Sequence, residues 1–171
     1  GKALIRDLAR FEIPALLFSG GEPLARPDLF DLVAHARALG LRPTLSTNGT
    51  LITDETAWRI KDAGFTYVGI SLDGVDEVND RFRGVDGAFA RAVRGFKACV
   101  AVGQRVGLRL TLTRHNFLNL HQIFDFIERE RIDRACFYHL VYSGRGGAIA
   151  GEDLSRAETR DALDIILERT E

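Results

Sequence analysis

Arg105-Val106-Gly107-Leu108-Arg109-Leu110-Thr111-Leu112-Thr113 alternates strictly, with Leu108, Leu110 and Leu112 on one parity and Arg109, Thr111 and Thr113 on the other. A strand points successive side chains to opposite faces, so this period of two makes one aliphatic face and one polar face. Thr66–Asp73 repeats the pattern, setting Val68, Ile70 and Leu72 against Gly69, Ser71 and Asp73. A parallel sheet covered on both sides reads apolar throughout, and a closed barrel fills its interior with bulky branched side chains. A face of Gly, Ser, Thr and Arg instead suits an open barrel whose concave side holds a polar ligand.

Outward from these two runs, Ala15–Ser19, Arg42–Thr47 and Ala135–Tyr142 read as the remaining strands. Helical patterns occupy Lys2–Arg10, Pro27–Leu39, Thr53–Ala63, Gly87–Val102, Leu118–Glu130 and Ser155–Arg169. Gly40 and Gly64 stand where helices stop and Thr53 where one starts. The strand ends at Ser19, Ser46, Ser71, Thr113 and Leu140 lie 27, 25, 42 and 27 residues apart. That beat predicts an α/β fold, a partial (β/α) barrel of five parallel strands in sequential order with helices on the outer face. The long interval holds Asp73–Gly87, expected as an extended loop, and the glycine-rich Ser143–Gly151 is expected to be mobile.

The composition is that of a soluble globular protein, 46% hydrophobic and 27% charged. A net charge of −1 provides no bulk field for nucleic acid or membranes, and no apolar run reaches the length of a membrane span. A cytoplasmic protein with neither partner is expected. Cys99 and Cys136 match no metal spacing, so no metal ligands are assigned and both read as free thiols.

The chemistry gathers at the strand ends. Ser19-Gly20-Gly21-Glu22-Pro23 places two glycines, which allow close backbone approach, beside a carboxylate suited to an ammonium. Ser46-Thr47-Asn48-Gly49 and Ser71-Leu72-Asp73-Gly74 follow at the next two strand ends. Each alone also reads as a capped turn, and Asp73 either accepts from ribose hydroxyls or caps its loop. Their recurrence where ligands of parallel α/β folds bind is the stronger signal.

These three elements closely resemble those of the radical S-adenosylmethionine (SAM) superfamily. Asp80-Arg81-Phe82-Arg83-Gly84 with Gly87-Ala88-Phe89 is similar to members carrying auxiliary clusters. Arg109–Thr113 and Tyr138–Gly146 are similar to the enzymes of heme d1 biosynthesis. The resemblance implies that Gly20, Gly21 and Glu22 bind the amino group of SAM. It places Ser46, Asn48, Ser71 and Asp73 along the methionine and ribose, Arg83 or preferably Arg109 on the methionine carboxylate, and the backbone of Leu140 by the adenine. An internal ion pair of Arg109 with Glu22 or Asp73 is compatible with that role.

The superfamily's CxxxCxxC loop, whose three thiolates hold a [4Fe-4S] cluster, is absent, and neither cysteine replaces it. Residues 1–171 therefore read as the central part of a core domain, with a first strand and cluster loop expected upstream and an auxiliary-cluster region downstream. The implied parent is a TIM-barrel-like oxidoreductase. It acts on propionate side chains of a modified siroheme in heme d1 or alternative heme biosynthesis, with a flavodoxin or ferredoxin as electron donor. The fragment alone is expected to be inactive. Arg114, His115, His139 and Arg145 are candidates for tetrapyrrole carboxylates, although each also fits a solvated surface. Rival readings are a radical SAM enzyme modifying peptides or proteins, and a cluster-free, non-catalytic nucleoside-binding module.

Overall fold

A computed structural model describes residues 1–170, with Arg145 through its backbone alone. Its five strands are β1 (Leu16–Phe18), β2 (Pro43–Thr47), β3 (Tyr67–Ser71), β4 (Val106–Thr111) and β5 (Ala135–Tyr138). They form one sheet in the order β1-β2-β3-β4-β5, the expected sequential order. β1 pairs β2, β2 pairs β3 and β4 pairs β5 in parallel. Between β3 and β4, Val68 donates to the Arg105 carbonyl and Leu72 to the Arg109 carbonyl. Both strands advance by four residues between these bonds, as parallel strands do.

The helices are α1 (Lys2–Arg10), α2 (Leu29–Ala38), α3 (Asp54–Ala63), α4 (Glu77–Arg83), α5 (Ala88–Ala101), α6 (Arg114–Phe117), α7 (Leu120–Arg129), α8 (Arg145–Ala148) and α9 (Arg156–Glu168). Among the described residues no helix is long and apolar enough to cross a membrane. The chain divides into two compact units, Gly1–Ser71 with Ala90–Gly107, and Leu72–Phe89 with Leu108–Glu171.

In the first unit β2 buries Pro43, Leu45 and Thr47 and leaves Thr44 and Ser46 half-buried, as the alternation requires. Val68 and Ile70 of β3 are fully buried. Ile5 of α1 and Leu32 and Ala36 of α2 pack with Leu41 against Leu16 and Phe18. Thr53 caps α3 by accepting from the Thr56 N–H, and Gly64 ends it in the left-handed conformation. Gly49 takes φ +75°, and a Cβ there would lie 2.8 Å from Ile70 Cγ2. A Cβ on Gly95 of α5 would come within 2.4 Å of the Gly49 carbonyl oxygen. The helix therefore approaches the turn after β2 with backbone against backbone at Gly95 and Gly49.

In the second unit Leu110 and Leu112 share a core with Leu120, Ile123 and Phe124 of α7 and Ala162 of α9. The Arg169 guanidinium bonds Asp125 and Glu128 at 2.8 Å each, fastening the end of α9 to α7. Arg109 and Thr111, on the other parity, are only half-buried.

The structure corrects several expected boundaries. β3 ends at Ser71, β4 at Thr111 and β5 at Tyr138, so Asp73, Thr113, His139 and Leu140 lie beyond their strands. Asp73–Gly87 contains α4 instead of forming an extended loop, because the Asp80 carboxylate accepts the Gly87 and Phe89 N–H groups and gathers the chain. Ser143–Gly151, the glycine-rich segment, holds α8 and the start of a 3-10 turn. The Tyr142 hydroxyl donates to the Asp153 carboxylate across that segment.

Gly95→Ala should lower stability by about 1–3 kcal/mol through overpacking, despite the roughly 1 kcal/mol that favours Ala over Gly within a helix. Urea unfolding reads the sign directly; a rise in stability would mean that α5 recedes at no cost. Cys99 and Cys136 are free. Burial pushes the Cys99 thiol up to about 11, so it should resist alkylation at neutral pH while the half-buried Cys136 reacts. Denaturant without reductant should release two thiols, and equal native rates would contradict the burial of Cys99.

Candidate cofactor site at the strand ends

The turn after β1 is organised by one carboxylate. Glu22 Oε1 accepts from the Leu24 N–H at 3.1 Å and the Thr47 hydroxyl at 2.7 Å, and Oε2 accepts from the Asn48 N–H at 2.8 Å. Thr47 Oγ1 in turn accepts the Gly49 N–H at 3.0 Å. Asn48 Oδ1 accepts from both the N–H and the hydroxyl of Thr50. Glu22 is thereby fixed from three sides, and the ends of β1 and β2 are tied together. A carboxylate has about four lone-pair positions, which leaves room for one more donor. Gly20 takes φ +139°, and a Cβ added at Gly20 or Gly21 would meet no atom within 4 Å. The backbone there borders open space, and Ser46 and Ser71 are half-buried on the polar parity of β2 and β3.

The second unit holds a different carboxylate. Asp73 has a side chain only 5% exposed, with Oδ2 paired to Arg83 and Oδ1 accepting the Thr111 N–H at 3.2 Å. Both of its oxygens are engaged by protein groups. Burial pushes the Asp73 carboxyl up from the usual carboxylate range, against the Arg83 charge and the Thr111 bond. Asn79 accepts the Asp73 N–H, and the Asn116 amide donates to the carbonyls of Asp73 and Thr111 while its oxygen accepts the Thr113 N–H. Thr47, Asn79 and Asn116 were not singled out from the sequence. For Thr47 the signal was a hydroxyl on the buried parity of β2; the asparagines carried none.

Among the described residues Arg109 forms no ion pair, so the internal pair with Glu22 or Asp73, the alternative reading of this residue, is absent. Arg109 lies over the Tyr138 ring, 4.7 Å from its centre, and Asp73 pairs with Arg83 instead. Among the substrate candidates, Arg114 bonds Glu158 and the Gly151 carbonyl, and His115 faces Glu152 at 3.4 Å. His139 is exposed, and the Arg145 side chain lies outside the described residues.

The chain is an α/β protein whose parallel strands run in sequential order, the class of fold whose ligands bind outside the carboxyl ends of the strands. Residues 2–127 match the model of the radical SAM superfamily, and the chain belongs to that superfamily. It is 55% identical over 170 residues to the Fe-coproporphyrin III synthase of Methanosarcina barkeri, covering 99% of this chain and 43% of that protein. It is 46% identical over 165 residues to the pre-heme d1 synthase of Dinoroseobacter shibae, covering 96% and 41%. Streptococcus suis SuiB bound to S-adenosylmethionine superposes with a TM-score of 0.78 at 19% identity, over 98% of this chain and 39% of that one, and shares the fold. The chain thus spans less than half the length of the curated relatives it matches.

The superfamily uses SAM and a [4Fe-4S] cluster. The residues around Glu22 fit an ammonium group, by the spare carboxylate position and the open backbone at Gly20 and Gly21. They do not fit the cluster: Cys99 is buried within α5, Cys136 lies on β5, and among the described residues no three metal-binding side chains come together.

Arg83→Leu should leave Asp73 as a buried charge without its counter-ion. Removing one partner of such a pair costs about 3–5 kcal/mol, and the 29% exposure of the Arg83 side chain places this case at the lower end. A carboxyl whose folded pKa is raised contributes its stability below the unfolded pKa and loses it as pH rises through the folded value. The substitution raises that pKa further. The loss should therefore be small near pH 4, close to the reference carboxyl pKa of about 4, and grow toward neutrality. Urea midpoints measured across that range test this, and a pH-independent loss would contradict it.

Proposed function

We propose that the parent protein of this chain is a radical SAM enzyme that acts on side chains of a modified siroheme, and that this chain supplies much of its SAM-binding surface. The observation that carries the reading is the 55% identity, over nearly the whole chain, to a protein named for Fe-coproporphyrin III synthesis. The propionates of the tetrapyrrole are the side chains proposed to react, in heme d1 or alternative heme formation.

In this reading Glu22 accepts from the SAM ammonium, with backbone at Gly20 and Gly21 alongside it. Ser46, Asn48 and Ser71 line the methionine and ribose. Arg83 or Arg109 meets the methionine carboxylate, the Leu140 backbone borders the adenine, and Asp73 contributes by holding Arg83. Arg114, His115, His139 and Arg145 are the candidates for substrate carboxylates. When bound, SAM supplies hydrogen-atom abstraction from an unactivated carbon. What these residues do is orient it and hold its charged end. The CxxxCxxC loop, an auxiliary-cluster region and a flavodoxin or ferredoxin donor belong to the parent, a cytoplasmic oxidoreductase in this reading. This chain by itself is inactive.

Anaerobic reconstitution of the parent with iron and sulfide should yield 5′-deoxyadenosine from SAM, and failure to form it under reducing conditions would remove the reading. Glu22→Gln should weaken SAM binding about tenfold, the lower end for a charge-assisted bond of roughly 1.5–3 kcal/mol, because backbone carbonyls share the ammonium. Calorimetry on both forms decides it, and equal affinities would take Glu22 out of the site.

A further inference from the structure

Arg109 stands in an unusual position for a cation. It lies in the middle of β4, half-buried on the polar parity of the strand. Among the described residues its guanidinium makes no hydrogen bond or ion pair, and it lies over the Tyr138 ring, 4.7 Å from the guanidinium carbon to the ring centre. In the register of β4 and β5, Arg109 pairs with Cys136 and Thr111 with Tyr138, so Arg109 reaches diagonally to the tyrosine on the same face. Three other arginines of this unit pair with carboxylates: Arg83 with Asp73, Arg114 with Glu158, and Arg169 with Asp125 and Glu128.

A charge drawn partly out of water without a counter-ion is costly. The ring recovers part of that cost, since the negative face of an aromatic attracts a cation. It leaves the planar fork of five N–H donors unused, and that fork matches a carboxylate in two parallel bonds. Tyr138 is 38% exposed, so its ring also borders solvent.

We propose that Arg109 and Tyr138 act as one carboxylate receptor, in which the ring fixes the plane of the guanidinium and Tyr138 is a positioning residue. This rests on the SAM and tetrapyrrole reading above and goes beyond it by giving Tyr138 a part. A carboxylate reaches this receptor from one of two sources, the methionine end of SAM or a propionate of the tetrapyrrole.

The test is equilibrium binding to the anaerobically reconstituted full-length parent. The paired probes are SAM with decarboxylated SAM, and iron coproporphyrin III with its tetramethyl ester. Arg109→Gln should weaken one carboxylate-bearing ligand about ten- to a hundredfold and leave its carboxylate-free counterpart unchanged. Arg109→Lys should fall between, because it keeps the charge and loses the fork. Tyr138→Leu should cost that same ligand about three- to tenfold, and Tyr138→Phe should restore binding because it keeps the ring. The pair of probes that shows the loss identifies the source. Equal losses for the acid and its carboxylate-free partner, unchanged affinities in Arg109→Gln, or a Tyr138→Phe variant as weak as Tyr138→Leu would each overturn the proposal while leaving the functional reading standing. A wild-type parent that binds neither SAM nor the porphyrin overturns the functional reading and the proposal together.

Discussion

Where a parallel strand ends, its last N–H and C=O groups lose their ladder partners, and a buried backbone group left unpaired costs free energy on the scale of a hydrogen bond. Side chains answer this demand at several strand ends here. Glu22 takes the Asn48 N–H and Thr47 takes that of Gly49. Asp73 takes the Thr111 N–H, Asn79 that of Asp73, and Asn116 serves the carbonyls of Asp73 and Thr111. All but the Thr47–Gly49 bond join groups five or more residues apart, so they also fasten one element to the next. The same requirement concentrates carboxylates and amides at the carboxyl ends of the strands, where a ligand can use whatever capacity remains.

Capacity is what separates Glu22 from Asp73. Glu22 accepts three bonds, is only half-buried, and stands beside glycine backbone that borders open space. Asp73 is buried with each oxygen engaged, one by an arginine. One carboxylate keeps a lone-pair position beside open backbone, and the other is taken up by protein groups on both oxygens. The arginines divide in the same way. Arg83 is taken by Asp73, whereas Arg109 has only an aromatic face beneath it.

The fold was legible because period-two alternation and regular strand spacing are local properties of the chain. Leu108, Leu110 and Leu112 could occupy only the covered face once Arg109 and Thr111 occupied the other. The boundaries were less legible. Tyr138–Tyr142 carries β-favouring residues, yet pairing stops at Tyr138. Helix α4 was hidden because its sequence, Glu77–Arg83, is short and polar, and its closure depends on Asp80 capturing N–H groups seven and nine residues on.

The sequence by itself determined the order of elements, the chemical character of each sheet face, and the clustering of Gly20–Glu22, Ser46–Gly49 and Ser71–Gly74 at strand ends. Its resemblance to the radical SAM superfamily followed from those motifs and agrees with the family match. Only the tertiary structure decided which charges pair. Asp73 is ten residues from Arg83 along the chain and 36 from Arg109, and no periodicity distinguishes the two as partners. The choice depends on where α4 directs its last turn and on the register that sets Arg109 diagonally across from Tyr138. Ion pairing follows distance and burial in space, and a one-dimensional pattern carries neither.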